Sequence, residues 1–190
     1  MKKLILVATA FVALASFTTF NNIWTNDDPH SQLGFTVTHL GVSDVSGTFN
    51  DFDVKVTSAK PDFSDAAFEL TAKVASIDTR VEMRDNHLKS ADFFDVEKYP
   101  TLTYKSTSIK KNGKNKYKLT GDLTLHGVTR PVTMDVEYRG TIENPMSKKA
   151  TTGFRVSGTI KRSDFGIGPK FPAPMISDEV RIKADGEFNQ

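Results

Sequence analysis

The 190-residue chain contains no cysteine. That excludes disulfides, thiolate nucleophiles and cysteine-held metal together. It has one tryptophan against 14 phenylalanines, so its interior is plain aromatic surface with few polar handles. It also lacks an excess of either charge, with 25 Lys+Arg against 23 Asp+Glu. No G-x-S-x-G motif and no paired-carboxylate signature is present. Ser31 beside His30 and Ser163 beside Asp164 are neighbours in sequence only, which is not the nucleophile, base and oxyanion-donor set a hydrolase needs. No repeat, low-complexity run or linker divides the chain, and about 175 residues suffice for one domain with a sizeable core.

The apolar run that does occur lies at the start. Lys2 and Lys3 precede Leu4–Ala15, and Ala13-Leu14-Ala15 offers small residues where a signal peptidase reads. The run is short for a span of about 20 residues. The expectation is a signal peptide over residues 1–15, with cleavage as late as residue 22, and a periplasmic protein with no stable membrane insertion. No cysteine follows for a lipid anchor. Losing Lys2 and Lys3 leaves 23 bases against 23 acids. A neutral exported chain has no electrostatic footprint for nucleic acid.

The chain is organised around Leu119–Gly140. Leu119, Gly121, Leu123 and Leu125 alternate with polar residues, as do Val132, Met134, Val136 and Tyr138, across a turn at His126–Thr129. Alternation of period two makes strands with one face in water and one in an apolar interior. Pro131, which cannot donate a ladder hydrogen bond, belongs beside the turn at its strand's start. The same pattern predicts strands over Ser31–His39, from Val45 to Val56, over Phe68–Val74 and Thr101–Ile109, and around Phe154–Ile160 and Val180–Ala184. Phe49 and Phe52 are too close to share a face in register, and a bulge near Asn50-Asp51 resolves this. Asn26–Pro29 reads as a turn, and Asn112-Gly113 as a hairpin.

One helix interrupts the strands. Thr79 and Glu82 are spaced as a capping box, predicting a helix from Arg80 to about Leu88, with Met83 and His87 on one face. The following Phe93-Phe94 pair suits a lid over one end of a sheet. The strands number eight in all, nearly all joined by short connections. Eight antiparallel strands close into an all-β barrel just wide enough for packed side chains or one slender ligand.

The four histidines, His30, His39, His87 and His126, include no pair at the i,i+2 strand or i,i+4 helix spacing that gathers metal ligands. Neither a metal nor any other cofactor is expected. Arg84-Asp85 and Arg162-Ser163-Asp164 set opposite charges side by side, either as salt-bridged latches or as an arginine meeting a polar head group.

Six motifs in order carry a resemblance. They are His30-Ser31 with Leu33, Phe35, Val37 and His39-Leu40-Gly41; Arg84–Leu88; Asp92–Val96 through Tyr99-Pro100; Gly121–Val132; Arg162–Gly166; and Asp178-Glu179-Val180. Over residues 24–188 the sequence resembles the YceI-like family of bacterial periplasmic proteins, also called polyisoprenoid-binding. The resemblance implies an extended, lipocalin-like, eight-stranded antiparallel barrel with a short helical cap. It implies a long apolar tunnel holding a polyisoprenoid, an isoprenoid quinone or a fatty amide, and no enzymatic activity. The tunnel is then expected to take Phe35, Val37, Phe49, Phe68 and Leu70 from the first strands, and Met83, Leu88, Phe93 and Phe94 from the cap. Tyr104, Leu123, Leu125, Met134 and Val136 follow from the middle strands, and Phe154, Val156, Ile160, Phe165 and Ile182 from the last. His39, Arg84 and Arg162 are the candidates for a polar head group. The partner expected is an amphiphilic lipid, with a homodimer left open. A solid barrel serving protein interaction, or a histidine-dependent enzyme, are the competing classes.

Overall fold

In the computed structural model, which describes residues 21–190, alternation becomes antiparallel ladder almost everywhere it is expected. The signal-peptide expectation over residues 1–15 lies outside the described residues. The chain forms β1 (Asn22–His39), β2 (Ser43–Phe49), β3 (Phe52–Ser58), β4 (Ala67–Lys73) and β5 (Ile77–Asp78), then helix α1 (Glu82–Lys89). β6 (Thr101–Lys111), β7 (Lys116–Leu125), β8 (Val128–Glu143), β9 (Ala150–Lys161) and β10 (Glu179–Asn189) follow. Eight of them close a ring in the order β1-β3-β4-β6-β7-β8-β9-β10, with β10 returning to β1. β2 and β5 are two extra strands, β2 on β1 and β5 on β2.

The hairpin of β7 and β8 is in register from Lys116↔Glu137 to Leu125↔Val128. His126 and Gly127 form its two-residue turn with φ of 51° and 73°. Two positive φ values give the turn whose twist matches paired strands. Pro131 sits further into β8 than expected, paired with Asp122. It is tolerated because β8 has no β9 partner until Asp135, so this stretch has an unpaired edge.

Three local expectations change. β1 begins at Asn22, since its first residues pair with β3 from Asn22↔Ser58 to Thr25↔Lys55. The Asn26–Pro29 turn chemistry becomes a register slip against β10 between Asn26 and Ser31. There Asn26 Oδ1 accepts from the Val54 amide at 2.6 Å, in place of a ladder bond. The break between Phe49 and Phe52 falls at Asn50-Asp51 as expected, and it divides one strand into β2 and β3. Its amides are satisfied by the Ser76 carbonyl at 3.2 Å and the Ser76 hydroxyl at 3.0 Å. Third, α1 starts at Glu82 with Val81 as an N-cap that makes no side-chain bond. Thr79 does not cap it, because the Thr79 hydroxyl donates to Asp85 and accepts from Arg84 Nε.

The two ends of the barrel differ. At one end the connection between β3 and β4 folds under the strands and inserts Phe63. Its ring lies 4.9 Å from Phe154, 5.1 Å from Tyr138 and 5.6 Å from Trp24. Tyr117 hydroxyl donates to the Asp62 carbonyl of this connection. Asp65 ties it by accepting from the Ser58 hydroxyl at 2.6 Å and the Ala59 amide at 3.1 Å. Val56, Phe68, Val136 and Phe188 complete a solid aromatic plug. At the other end lie α1, a 3-10 turn at Arg162–Phe165 and the loop that follows it, and here the barrel is hollow.

Candidate functional site

A cavity of about 480 Å³ occupies the barrel on the α1 side of the plug. That volume is within the range of about 300–1,000 Å³ usual for small-molecule sites. Every barrel strand contributes to its wall. Phe35 and Val37 come from β1, Phe49 from β2, and Phe68 and Leu70 from β4. Tyr104, Leu123, Leu125, Met134, Phe154, Val156, Ile160 and Ile182 continue the wall around β6 to β10. Leu88, Phe93 and Phe94 descend onto it from the cap. Phe94 meets Phe49 edge-on at 6.0 Å, and Phe93 stacks on Phe171 at 4.7 Å.

Three residues expected in the tunnel are elsewhere. Met83 is 83% exposed, because α1 turns that face outward. Val136 is 2% exposed but borders no cavity; it pairs with Tyr117 on one side and, on the other, with Val156, which does line it. Phe165 is 1% exposed and packs beneath the Arg162–Phe165 turn, again away from the cavity wall. Alternation gives the inward face correctly but not how far along the strand the hollow extends. The glycines on the inward faces of β7 and β9 add no empty space. A Cβ on Gly121 would fall 2.6 Å from Tyr104 Cζ, and one on Gly158 would collide with Met134 Sδ, so neighbouring side chains occupy both positions.

The wall also includes residues beyond those expected in the tunnel. Leu33, Phe52, Val54, Leu102 and Ala184 belong to inward faces. Ile167, Phe171, Met175 and Ile176 come from the loop after Phe165, which has no periodic signal in sequence.

Arg162 holds that loop. It is 7% exposed, and its guanidinium donates to five carbonyls: Ser177 at 3.1 Å, Ile167 at 2.9 Å, Gly168 at 2.8 Å, Ile176 at 3.1 Å, and Phe171. A guanidinium has five N–H donors, so none is left for a ligand. Arg162 is a latch, and a head-group role is excluded by donor count. Nor is its latch the anticipated pairing with Asp164. Asp178 instead accepts from the Ser163 amide at 3.0 Å and hydroxyl at 2.8 Å.

Arg84 is different. It lines the cavity, and both its hydrogen bonds go to Thr79: Nε to the hydroxyl and Nη2 to the carbonyl, each at 2.7 Å. Thr79 is itself fixed by Asp85, which also accepts from its amide at 2.8 Å. Three Arg84 donors remain, and among the described residues no carboxylate lies within 4.0 Å of it. His39 and His87 border the same end of the cavity. His87 meets Phe93 and Phe171 edge-on at 5.0 and 5.5 Å. Since His39 and Met175 are exposed, the cavity reaches the surface here.

The wall includes one phenol. Tyr104 donates to the Leu119 carbonyl at 3.2 Å, and burial, with Asp122 nearby, pushes its pKa up to about 12. It stays neutral and acts as apolar surface. His126 is bonded to the Phe165 carbonyl at 3.0 Å and packs on Tyr99, away from His39 and His87. His30 pairs with Asp27 at 2.6 Å, which raises the imidazole above its ordinary value. With Glu187 these two form the one group of three ligand-type side chains among the described residues, their atoms within 4.8 Å. Spacing in sequence does not reveal it, because Glu187 comes from the far end of the chain.

Comparison with known proteins fits this geometry. A family model described as a YceI-like domain matches residues 24–188. UPF0312 protein SA2479 of Staphylococcus aureus (strain N315) is 39% identical over 170 residues, covering 87% of this chain and 96% of its own. The crystal structure of Burkholderia cenocepacia BcnA superposes with a TM-score of 0.75 at 29% identity, over 85% of this chain and 98% of that one. A polyisoprenoid binding domain from Saccharophagus degradans, implicated in plant cell wall breakdown, shares the fold with a TM-score of 0.66 at 14% identity. That match covers 88% of this chain and 97% of the other.

Proposed function

The chain belongs to the YceI-like family, and from that premise we propose that it is an exported binding protein which carries or sequesters a long-chain apolar lipid in its barrel. The observation that carries this reading is the cavity itself: about 480 Å³, walled by aliphatic and aromatic side chains from every barrel strand. Apolar area withdrawn from water yields about 25 cal/mol per Å², from which the ordering of a flexible chain subtracts. A slender isoprenoid suits such a wall, and a domain of the same fold is described as polyisoprenoid binding. The reading needs no cofactor and no chemistry. Export is supported by Lys2-Lys3 and the apolar run to Ala15.

Arg84 gives the ligand a direction. A guanidinium with three unused donors at the open end suits a head group with phosphate, carboxylate or hydroxyl oxygens. The tail then runs toward Phe154 and Phe188, whose rings form the cavity side of the plug. The test is organic extraction of natively purified protein followed by mass spectrometry, with Arg84→Met beside wild type. A long-chain lipid should be recovered from wild type. Arg84→Met should bind it more weakly by about 1.5–3 kcal/mol, the worth of a charged hydrogen bond, while remaining folded despite the loss of its two bonds to Thr79. Protein that never yields a lipid would refute the carrier reading. Equal affinity in the variant would refute the head-group role alone.

A further inference from the structure

The open end of the cavity is covered by two segments that are held in different ways. One is the cap, α1 with the turns that follow it to Tyr99. The other is the loop of residues 166–178. Leu88, Phe93 and Phe94 of the cap and Ile167, Phe171 and Ile176 of the loop all line the cavity.

The loop is anchored through its backbone. Arg162 binds five of its carbonyls. The Leu40 amide donates to the Met175 carbonyl at 3.0 Å, the Ser177 amide to the Thr38 carbonyl at 2.9 Å, and the Arg162 amide to the Asp178 carbonyl at 2.9 Å.

The cap has no such anchor. Among the described residues, every backbone hydrogen bond of residues 81–99 closes within that segment, as where the Phe93 amide donates to the Ser90 carbonyl and the Phe94 amide to that of Leu88, each at 3.0 Å. Its two ends are pinned. At the first, Arg84 and Asp85 bond to Thr79, next to Arg80, whose φ of 64° turns the chain from β5 into α1. At the second, Tyr99 packs on His126 at 4.7 Å, and the Pro100 carbonyl accepts from the Val74 amide at 2.9 Å.

Between those ends the cap meets its surroundings along rings. Phe93 stacks on Phe171 at 4.7 Å, His87 meets Phe171 edge-on at 5.5 Å, and Phe94 rests against Phe49 at 6.0 Å. The one ion pair from cap to loop among the described residues is Asp92–Lys170 at 2.7 Å, and the Lys170 side chain is 72% exposed, where water competes for it. Parting cap from loop therefore breaks no backbone hydrogen bond and opens directly onto the cavity. Lids are drawn from the segments of a fold that open at least cost, and their hinges from the ends of elements.

We propose that residues 86–98 are the gate of the barrel, swinging between pivots at Thr79 and Pro100 while the loop latched by Arg162 stays fixed. The ligand enters where Phe93 parts from Phe171, and Arg84, on the pivot, keeps its place to receive the head group. The gate rests on the lipid-carrier reading for its purpose, but its motion is measured without ligand.

Hydrogen exchange on lipid-free protein tests the motion. The amides of Phe93, Phe94 and Val96 should exchange at least about tenfold faster than those of Leu40 and Ser177. Equal exchange, or a faster loop, would overturn the assignment of the moving part. A reversible link tests entry. The chain has no cysteine, so a reducible bifunctional thiosulfonate joins only the pair introduced in Asp92→Cys, Lys170→Cys. The probe is all-trans retinol, a fluorescent isoprenoid alcohol. Its association with the linked protein should slow at least about tenfold and recover on reduction. The same link in Asp62→Cys, Lys111→Cys, across an ion pair of 3.8 Å at the plugged end, should change nothing. Equal association rates in linked and reduced Asp92→Cys, Lys170→Cys, or slowing by the plugged-end link alone, would overturn the gate and leave the carrier reading intact. Protein that yields no lipid on extraction and binds no retinol would refute the carrier reading, and the exchange contrast would still decide whether the cap moves.

Discussion

The boundary between solid and hollow barrel can be tested with one substitution made at two valines. Val56 is fully buried between Trp24 and Phe68, its partners on the flanking strands. Val156 lies between Val136 and Ala184 and faces the cavity. Val56→Trp has no space to enter and must displace the plug, costing about 1–3 kcal/mol or more. At about 2–4 °C per kcal/mol for a domain of this size, the melting temperature should fall by about 5–10 °C. Val156→Trp instead extends its ring into the lumen. The added aromatic area, roughly 100 Å² at 25 cal/mol per Å², returns about 2 kcal/mol, enough to offset the ordering of the larger side chain. Calorimetry on lipid-free protein should therefore place Val156→Trp within a few degrees of wild type. Mass spectrometry of natively purified Val156→Trp should show its lipid content sharply reduced, since the ring stands where the ligand would lie. If both variants melt equally early, the cavity does not tolerate a ring and the barrel is packed at Val156 as well. Undiminished lipid in a folded Val156→Trp would show that the ligand does not use this part of the cavity.

Two further perturbations address the elements that shape the site. Arg162→Lys should expose the loop of residues 166–178 to limited proteolysis and destabilise the protein by at least about 3 kcal/mol. An ammonium offers three donors and cannot reach five carbonyls in a fixed plane; unchanged protease resistance would show that the latch is dispensable. For Asp65, burial tends to raise the carboxyl, but the Ser58 hydroxyl and the Ala59 and Lys60 amides favour the ionised form and bring it below its ordinary value. A carboxylate depressed on folding contributes stability above the unfolded pKa and loses it as pH falls through the folded one. Acid titration of stability should thus show a loss below about pH 4 that is smaller in Asp65→Asn, and identical acid limbs would rule out this role.

The sequence by itself determined the strands and their faces, because alternation is a local property of the chain and an apolar side must be covered wherever it occurs. It also determined the β7–β8 turn, where His126-Gly127 accept positive φ, and the break at Asn50-Asp51, where two phenylalanines three apart cannot both face inward without an extra residue. Eight such strands close, and the count was legible without knowing the partners. Tertiary structure decided where the closed barrel is filled. Phe63, from a loop of no periodicity, packs on Phe154 at the filled end, and along β8 Val136 is core while Met134, two residues away, lies on the cavity wall. It also sorted the arginines. Arg84 and Arg162 look alike in sequence, each beside an acid. The chain then folds five carbonyls around Arg162 and only Thr79 around Arg84. Hydrogen-bond donors are consumed by whatever the fold brings near them, so the difference between a latch and an open cation lies in contacts between distant residues, which no local pattern records.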